Sequence, residues 1–137
     1  MNEMTQARGL ERSSLTLDLT IPGFHLKSPN SPEHWTARHA RVKREKKSLA
    51  HAMMESGNLN KLFHLPCTVI ITRISPRRMD EDNYIASAKA IKDFIAGIII
   101  PGLAPGRADG SEFIVWKYQQ ERRSKGEYAI NIKIYQT

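Results

Sequence analysis

The chain has a single cysteine in 137 residues. That excludes an intrachain disulfide and any cysteine-rich zinc site. Cys67 lies inside an apolar run, where a thiol behaves as a small core side chain, and the scarcity of thiols agrees with a reducing, cytoplasmic setting. Long hydrophobic runs are absent as well. No stretch of about 18 uncharged apolar residues occurs, so no membrane span is expected. Residues 1–14 are polar and mixed in charge and lack the apolar stretch of a signal peptide, so they read as a flexible tail ahead of one domain over 15–137. The five histidines show no zinc spacing; His34 and His39 are five apart and share a helix face poorly. No glycine-rich dinucleotide fingerprint, P-loop or serine-centred elbow is present, and there is no internal repeat.

Positive charge is in excess. Lys and Arg number 21 against 14 Asp and Glu, a formal charge of +7. Solubility alone would account for that total, but the distribution is uneven. Arg38, Arg41, Lys43, Arg44, Lys46 and Lys47 form one cluster, Arg73, Arg77 and Arg78 a second, and Arg122, Arg123 and Lys125 a third. Three basic groups around one acidic knot suit a polyanion approaching a metal.

The hydrophobic pattern predicts an α+β fold. Leu15, Leu17, Leu19 and Ile21 alternate with polar residues, a half-buried strand ended by Pro22-Gly23. Ser31-Pro32 reads as N-cap and first position of a helix to Glu55, with Trp35, Val42, Leu49 and Met53 on its apolar stripe and Gly57-Asn58 as its stop. The stripe is narrow and matches packing on a sheet better than lying on a membrane. Cys67–Ile74 is apolar on both faces and reads as a central strand ended by Pro76. A second helix follows over Tyr84–Ile95, with Asp82 as N-cap and a stripe of Ile85, Ala88, Ile91 and Ile95. After a proline- and glycine-rich loop come strands over Phe113–Tyr118 and Tyr128–Tyr135, with Gln119–Glu127 as a protruding hairpin loop. The order β-α-β-α-β-β implies a single mixed sheet of about four strands with two main helices packed on it.

The acidic knot carries the chemistry. Asp80, Glu81, Asp82 and Asn83 stand between a strand and a helix, one residue after Arg77 and Arg78. Acids before a helix are common because they favour its positive end. On an extended backbone, however, Asp80 and Asp82 would point to one side and could hold a hard cation such as Mg²⁺. A third oxygen must come from elsewhere; Asp109 is the candidate, with Glu112 and Asp93 weaker ones. Lys89 and Asp93, at i and i+4, read either as a surface ion pair or as a lysine facing the acids, two turns past Asp82.

Taken together, Arg77-Arg78-Met79-Asp80-Glu81-Asp82-Asn83, Lys89, Asp93 and the acid before a later strand resemble the RusA family of Holliday-junction resolvases. These are small dimeric endonucleases often carried by phages and prophages. The likeness spans roughly residues 15–135, and Pro29-Asn30 with the basic helix after it matches the family's N-terminal part. It implies that Asp80, Asp82 and Asp109 hold Mg²⁺ or Mn²⁺, that Lys89 is the catalytic lysine, and that Asn83 is the motif asparagine. Two departures stand out: Lys89 lies three residues further from the acidic pair than in the family's usual arrangement, and Ala108 replaces the first acid of the family's loop pair.

The expectation is therefore a homodimeric, metal-dependent endonuclease for branched DNA, in the cytoplasm of a bacterial host and phage- or prophage-encoded. Arg77, Arg78, Asn83 and the basic clusters at Arg38, Arg41, Lys43, Arg44, Lys46, Lys47, Arg122, Arg123 and Lys125 would contact DNA. The alternatives are a junction-binding protein with weakened catalysis and a nucleotide- or RNA-directed metal hydrolase, in which Trp116, Tyr118 and Tyr128 would stack bases.

Overall fold

Alternation in β1 (Ser14–Pro22) turns Leu17, Leu19 and Ile21 inward and leaves Asp18 and Thr20 exposed. The strand starts one residue earlier than the tail-to-domain boundary predicts. In the computed structural model, which describes residues 14–30, 32–101 and 112–136, β1 joins a four-stranded sheet of order β1-β4-β2-β3. The other strands are β2 (Cys67–Ser75), β3 (Ile114–Arg122) and β4 (Ala129–Gln136). The fold is α+β with a single mixed sheet, as the pattern predicts.

β2 takes an interior position, in keeping with its apolar run. It pairs in parallel with β3 on one side and antiparallel with β4 on the other. β4 is also antiparallel to β1, so β1, β2 and β3 point the same way and β4 runs against them. Ile130, Ile132 and Ile134 of β4 are fully buried in the middle of the sheet. Residues 119–127 are therefore not a hairpin loop. β3 continues to Arg122, and the chain then crosses the end of β2, where Arg123 N–H donates to the Ser75 carbonyl at 3.1 Å. The polar segment Gln119–Arg122 stays in the sheet because β3 is an edge strand, with one side of its backbone free to face solvent.

Helix α1 (Trp35–Glu55) lies against α3 and β1. Its N-cap is His34, whose Nδ1 accepts from Thr36 N–H at 3.2 Å, so the helix begins after the predicted Pro32; Ser31 falls outside the described residues. The buried stripe is Glu45, Leu49 and Met53, and Trp35 is 73% exposed rather than part of the core. Trp35 has the right angular phase, but it is the first residue of the helix, roughly 21 Å along the axis from Leu49. Gly57, at φ +77°, ends the helix as expected; that left-handed conformation suits glycine.

The second predicted helix is broken in two. α2 (Glu81–Ser87) and α3 (Lys89–Ile99) meet at Ala88. Ser87 Oγ donates to the Tyr84 carbonyl at 2.7 Å, a back-bond that competes with helical pairing and bends the chain there. The break shifts the phase of the first turn. Tyr84 is buried in place of Ile85, which is 37% exposed, whereas Ala88, Ile91 and Ile95 are fully buried as predicted. Cys67 is buried in the core, where burial pushes its thiol pKa up. No helix among the described residues is long and apolar enough to cross a membrane.

Tyr84 ties α2 to the sheet: its hydroxyl donates to the Ile71 carbonyl at 2.6 Å, and its ring meets Tyr118 edge-on at 5.7 Å. Burial is the main reason its phenol is held protonated well above the usual tyrosine range. Tyr84→Phe keeps the ring contact and loses the hydrogen bond, and should cost about 1 kcal/mol in urea denaturation. An unchanged midpoint would show that this bond adds nothing.

Candidate functional site

The parallel run of β1, β2 and β3 brings their C-terminal ends to one edge of the sheet. At that edge Ile21, Ile130, Arg73 and Gln120 form a row across the four strands. Ile21 and Ile130 are core residues of an apolar face; the arginine and the glutamine interrupt it. Arg73 is only 7% exposed. Its Nη1 donates to the Arg77 carbonyl at 2.7 Å and to Gln120 Oε1 at 3.0 Å. No carboxylate among the described residues pairs with it, and burial pulls its pKa below the usual arginine range.

Gln120 extends this network into the acidic bend. Its Oε1 also accepts from Met79 N–H at 2.8 Å, and its Nε2 donates to the Met79 carbonyl at 2.7 Å. The amide thus holds the Met79 backbone the way a neighbouring strand would. Arg73 fixes one side of the turn at Arg77 and Gln120 fixes the other at Met79. Asp80 follows immediately and is the N-cap residue of α2, though its side chain makes no capping bond.

The structure modifies the expected geometry of the acids. Asp82 is not the N-cap; it lies in the first turn of α2 and Asp80 precedes it, so the pair does not share one extended strand face. Both are exposed, and neither carboxylate makes a hydrogen bond or ion pair to a described residue. Asn83 is half-buried. Asp109 and Ala108 lie outside the described residues. Among the described residues no cluster of three or more histidine, cysteine or carboxylate side chains forms a ligand set. Asp80 and Asp82 are free hard-oxygen donors of the type Mg²⁺ or Mn²⁺ takes, and they supply part of such a set.

Lys89 meets Asp93 at 3.5 Å, as the i, i+4 spacing suggests. Both line a cleft of about 410 Å³ against α1 that also holds Glu33, Arg41 and Glu45; neither Asp80 nor Asp82 lines it. Arg41 is committed to this cleft. Its guanidinium donates to Glu45 at 2.8 Å and to Glu33 at 3.1 Å, and Arg38 and Lys27 approach Glu33 at 3.9 and 3.7 Å. Glu33, held mainly by Arg41, has its pKa lowered.

The basic clusters converge in part. A cavity of about 710 Å³ under α1 is lined by Arg41, Arg44, Lys27, His25, Arg73 and Met79. A second, of about 740 Å³, is lined by His25 and Arg73 again and by Arg77, Arg122, Arg123 and Lys125. Arg73 and His25 therefore join two cavities that draw on all three basic segments, and Met79 sets the acidic bend beside them. Arg78, Lys43, Lys46 and Lys47 are exposed but line neither cavity.

No protein-family model matches the chain, and no curated protein matches it either. The site therefore has to be judged on its own chemistry. Sequence reasoning missed His25, Gln120 and the burial of Arg73. His25 stacks on Tyr128 with centroids 4.2 Å apart, and burial, then Arg73, lowers its pKa, so the ring favours its neutral form. No local sequence signal marks Gln120, whose role depends on the register between β3 and β2.

Glu45 generates a prediction. It is 7% exposed, and its Oε1 is buried with no partner among the described residues. The pair responds in opposite senses: Glu33 is the first cause holding Arg41 charged, while burial of Glu45 outweighs its own bond from Arg41 and raises its pKa above 4.5. A raised carboxyl favours the folded state when protonated, so its contribution is lost as pH rises through the folded value. Glu45→Gln stays neutral and should gain stability relative to wild type as pH rises from about 4 to 7. Denaturation midpoints across that range give the comparison; parallel curves would contradict it.

Proposed function

We propose that the protein is a Mg²⁺- or Mn²⁺-dependent endonuclease for branched DNA, of the kind the RusA resemblance implies. It would act as a homodimer in the cytoplasm of a bacterial host, encoded by a phage or prophage. One observation carries the reading: two exposed aspartates, without a partner among the described residues, stand at the C-terminal edge of parallel strands and follow Met79, which lines one of two cavities rich in basic side chains that Arg73 and His25 join. Ligand sites of open α/β sheets favour that edge.

Asp80 and Asp82 would hold the metal, with Asp109 as the third oxygen donor. The bound ion would lower the pKa of an attacking water and polarise the scissile phosphate. The rest falls to the chain itself. Arg77 and Arg78 grip phosphates on either side of the bend, and Asn83 supports them from α2. Lys89 would offset charge in the transition state if the bound substrate draws it from Asp93. Arg44, Arg38, Lys43, Lys46 and Lys47 on α1, and Arg122, Arg123 and Lys125 beyond β3, would carry the arms of the DNA. A symmetric dimer would present two such sites to the near two-fold symmetry of a four-way junction.

A second reading rests on Ala108. If the acid missing there is needed, the protein binds junctions without cutting them. Cleavage of a synthetic four-way junction in Mg²⁺ or Mn²⁺ separates the readings. The nuclease should lose about a hundredfold or more in rate in Asp82→Asn and in Asp109→Asn, and all activity in EDTA. Full activity in both variants would end the mechanism, and tight junction binding with no nicking in either metal would favour the second reading.

A further inference from the structure

A buried guanidinium without a counter-anion is costly unless a ligand supplies the charge. Arg73 has no counter-anion among the described residues, and its unbonded nitrogens are not sealed in the core but open to a cavity. Its two hydrogen bonds both leave from Nη1 and both end on neutral oxygens. No hydrogen bond to a described residue leaves from its Nε or Nη2. The side chain is more than nine-tenths buried and lines the cavity formed with Arg77, Arg122, Arg123, Lys125 and His25. Among the described residues no acidic side chain lines that cavity; of its cations, Arg123 pairs with the exposed Glu121 at 3.0 Å.

We propose that this cavity is a nucleotide-phosphate site, with Arg73 as the buried anchor that receives the phosphate oxygens. A guanidinium presents its Nε and Nη2 groups as a fork matched to two oxygens of a phosphate. Arg122 and Lys125, both exposed at the rim, attract and close over the anion. About 740 Å³ exceeds what one phosphate needs and accommodates a whole nucleotide unit. The His25–Tyr128 stack on the wall offers that unit an aromatic surface. The inference requires no metal and does not depend on the nuclease reading; a phosphate-binding protein of any activity could use it. The phosphate could be the terminal group of a free nucleotide or an internal diester of a strand.

The test is calorimetric titration of the full chain in EDTA, so that neither cleavage nor metal binding contributes. The probes are inorganic phosphate, thymidine, thymidine 5′-monophosphate and a short oligothymidylate without terminal phosphates. Phosphate and the monophosphate should bind and thymidine should not. Tighter binding of the monophosphate than of the oligonucleotide would identify a terminal phosphate, and the reverse an internal diester. Arg73→Lys keeps the charge but not the fork and should weaken binding by about tenfold or more. Because Arg73 is buried, the exposed double variant Arg122→Gln with Lys125→Gln supplies a test that does not disturb the core, and it should weaken binding comparably. Lys133→Gln removes one charge from the opposite sheet face and should leave affinity unchanged. The proposal is overturned if no probe binds, if thymidine matches its monophosphate, or if the rim variant binds as wild type does.

Discussion

Everything at the candidate site depends on one interaction: the buried Arg73 guanidinium and the Gln120 amide it shares with Met79. Three strands of an apolar core face lead to this point, and there the sheet carries a charge. Arg73 holds the Arg77 carbonyl and Gln120 holds both backbone groups of Met79, so side-chain bonds stand in for the neighbouring strand that this irregular segment lacks. Two further contacts close it: Met79 packs on the core, and its sulfur receives Ser87 Oγ at 3.9 Å. The acids that follow inherit this rigidity without spending their own oxygens on it.

The topology explains why the basic residues assemble. β1, β2 and β3 end at one edge, and the β4 insertion leaves that direction unchanged. Pro22-Gly23, Ser75-Pro76 and Arg122-Arg123 therefore emerge together although they lie far apart in the chain. The Gly23 turn, with φ +73° and its N–H bonded to the Tyr128 carbonyl at 2.7 Å, brings His25 against Tyr128. Arg41 sits on the same side but is spent on Glu33 and Glu45, so the charge available to a ligand comes from Arg44, Arg73, Arg77 and the β3–β4 connection.

Much of this could be read in the sequence, and the rest could not for definite reasons. Strand β2 is legible as an apolar run and the isoleucine face of β4 as period-2 alternation, both of them local signals. Trp35 misleads because helical phase says nothing about how far along the axis a helix is covered. Ile85 misled because the break at Ala88 comes from a serine side chain, which a stripe count ignores. The hairpin between β3 and β4 failed because adjacency in sequence does not decide which edge of β2 a strand joins. Asp80 and Asp82 were legible as an acidic bend but not as N-cap and first-turn positions. Arg73 was visible only as one basic residue among many; its burial follows from register across four strands.

The central claim is that Gln120 holds the acidic bend in place through Met79. Amide hydrogen exchange at Met79 tests it directly, in wild type and in Gln120→Leu, which keeps the side chain's bulk and loses both bonds. The Met79 N–H should be protected in wild type and exchange about tenfold faster or more in the variant, while the amides of β2 keep their protection. Equal protection of Met79 in the two proteins would contradict the account, because something other than Gln120 would then be fixing the segment that carries the aspartates.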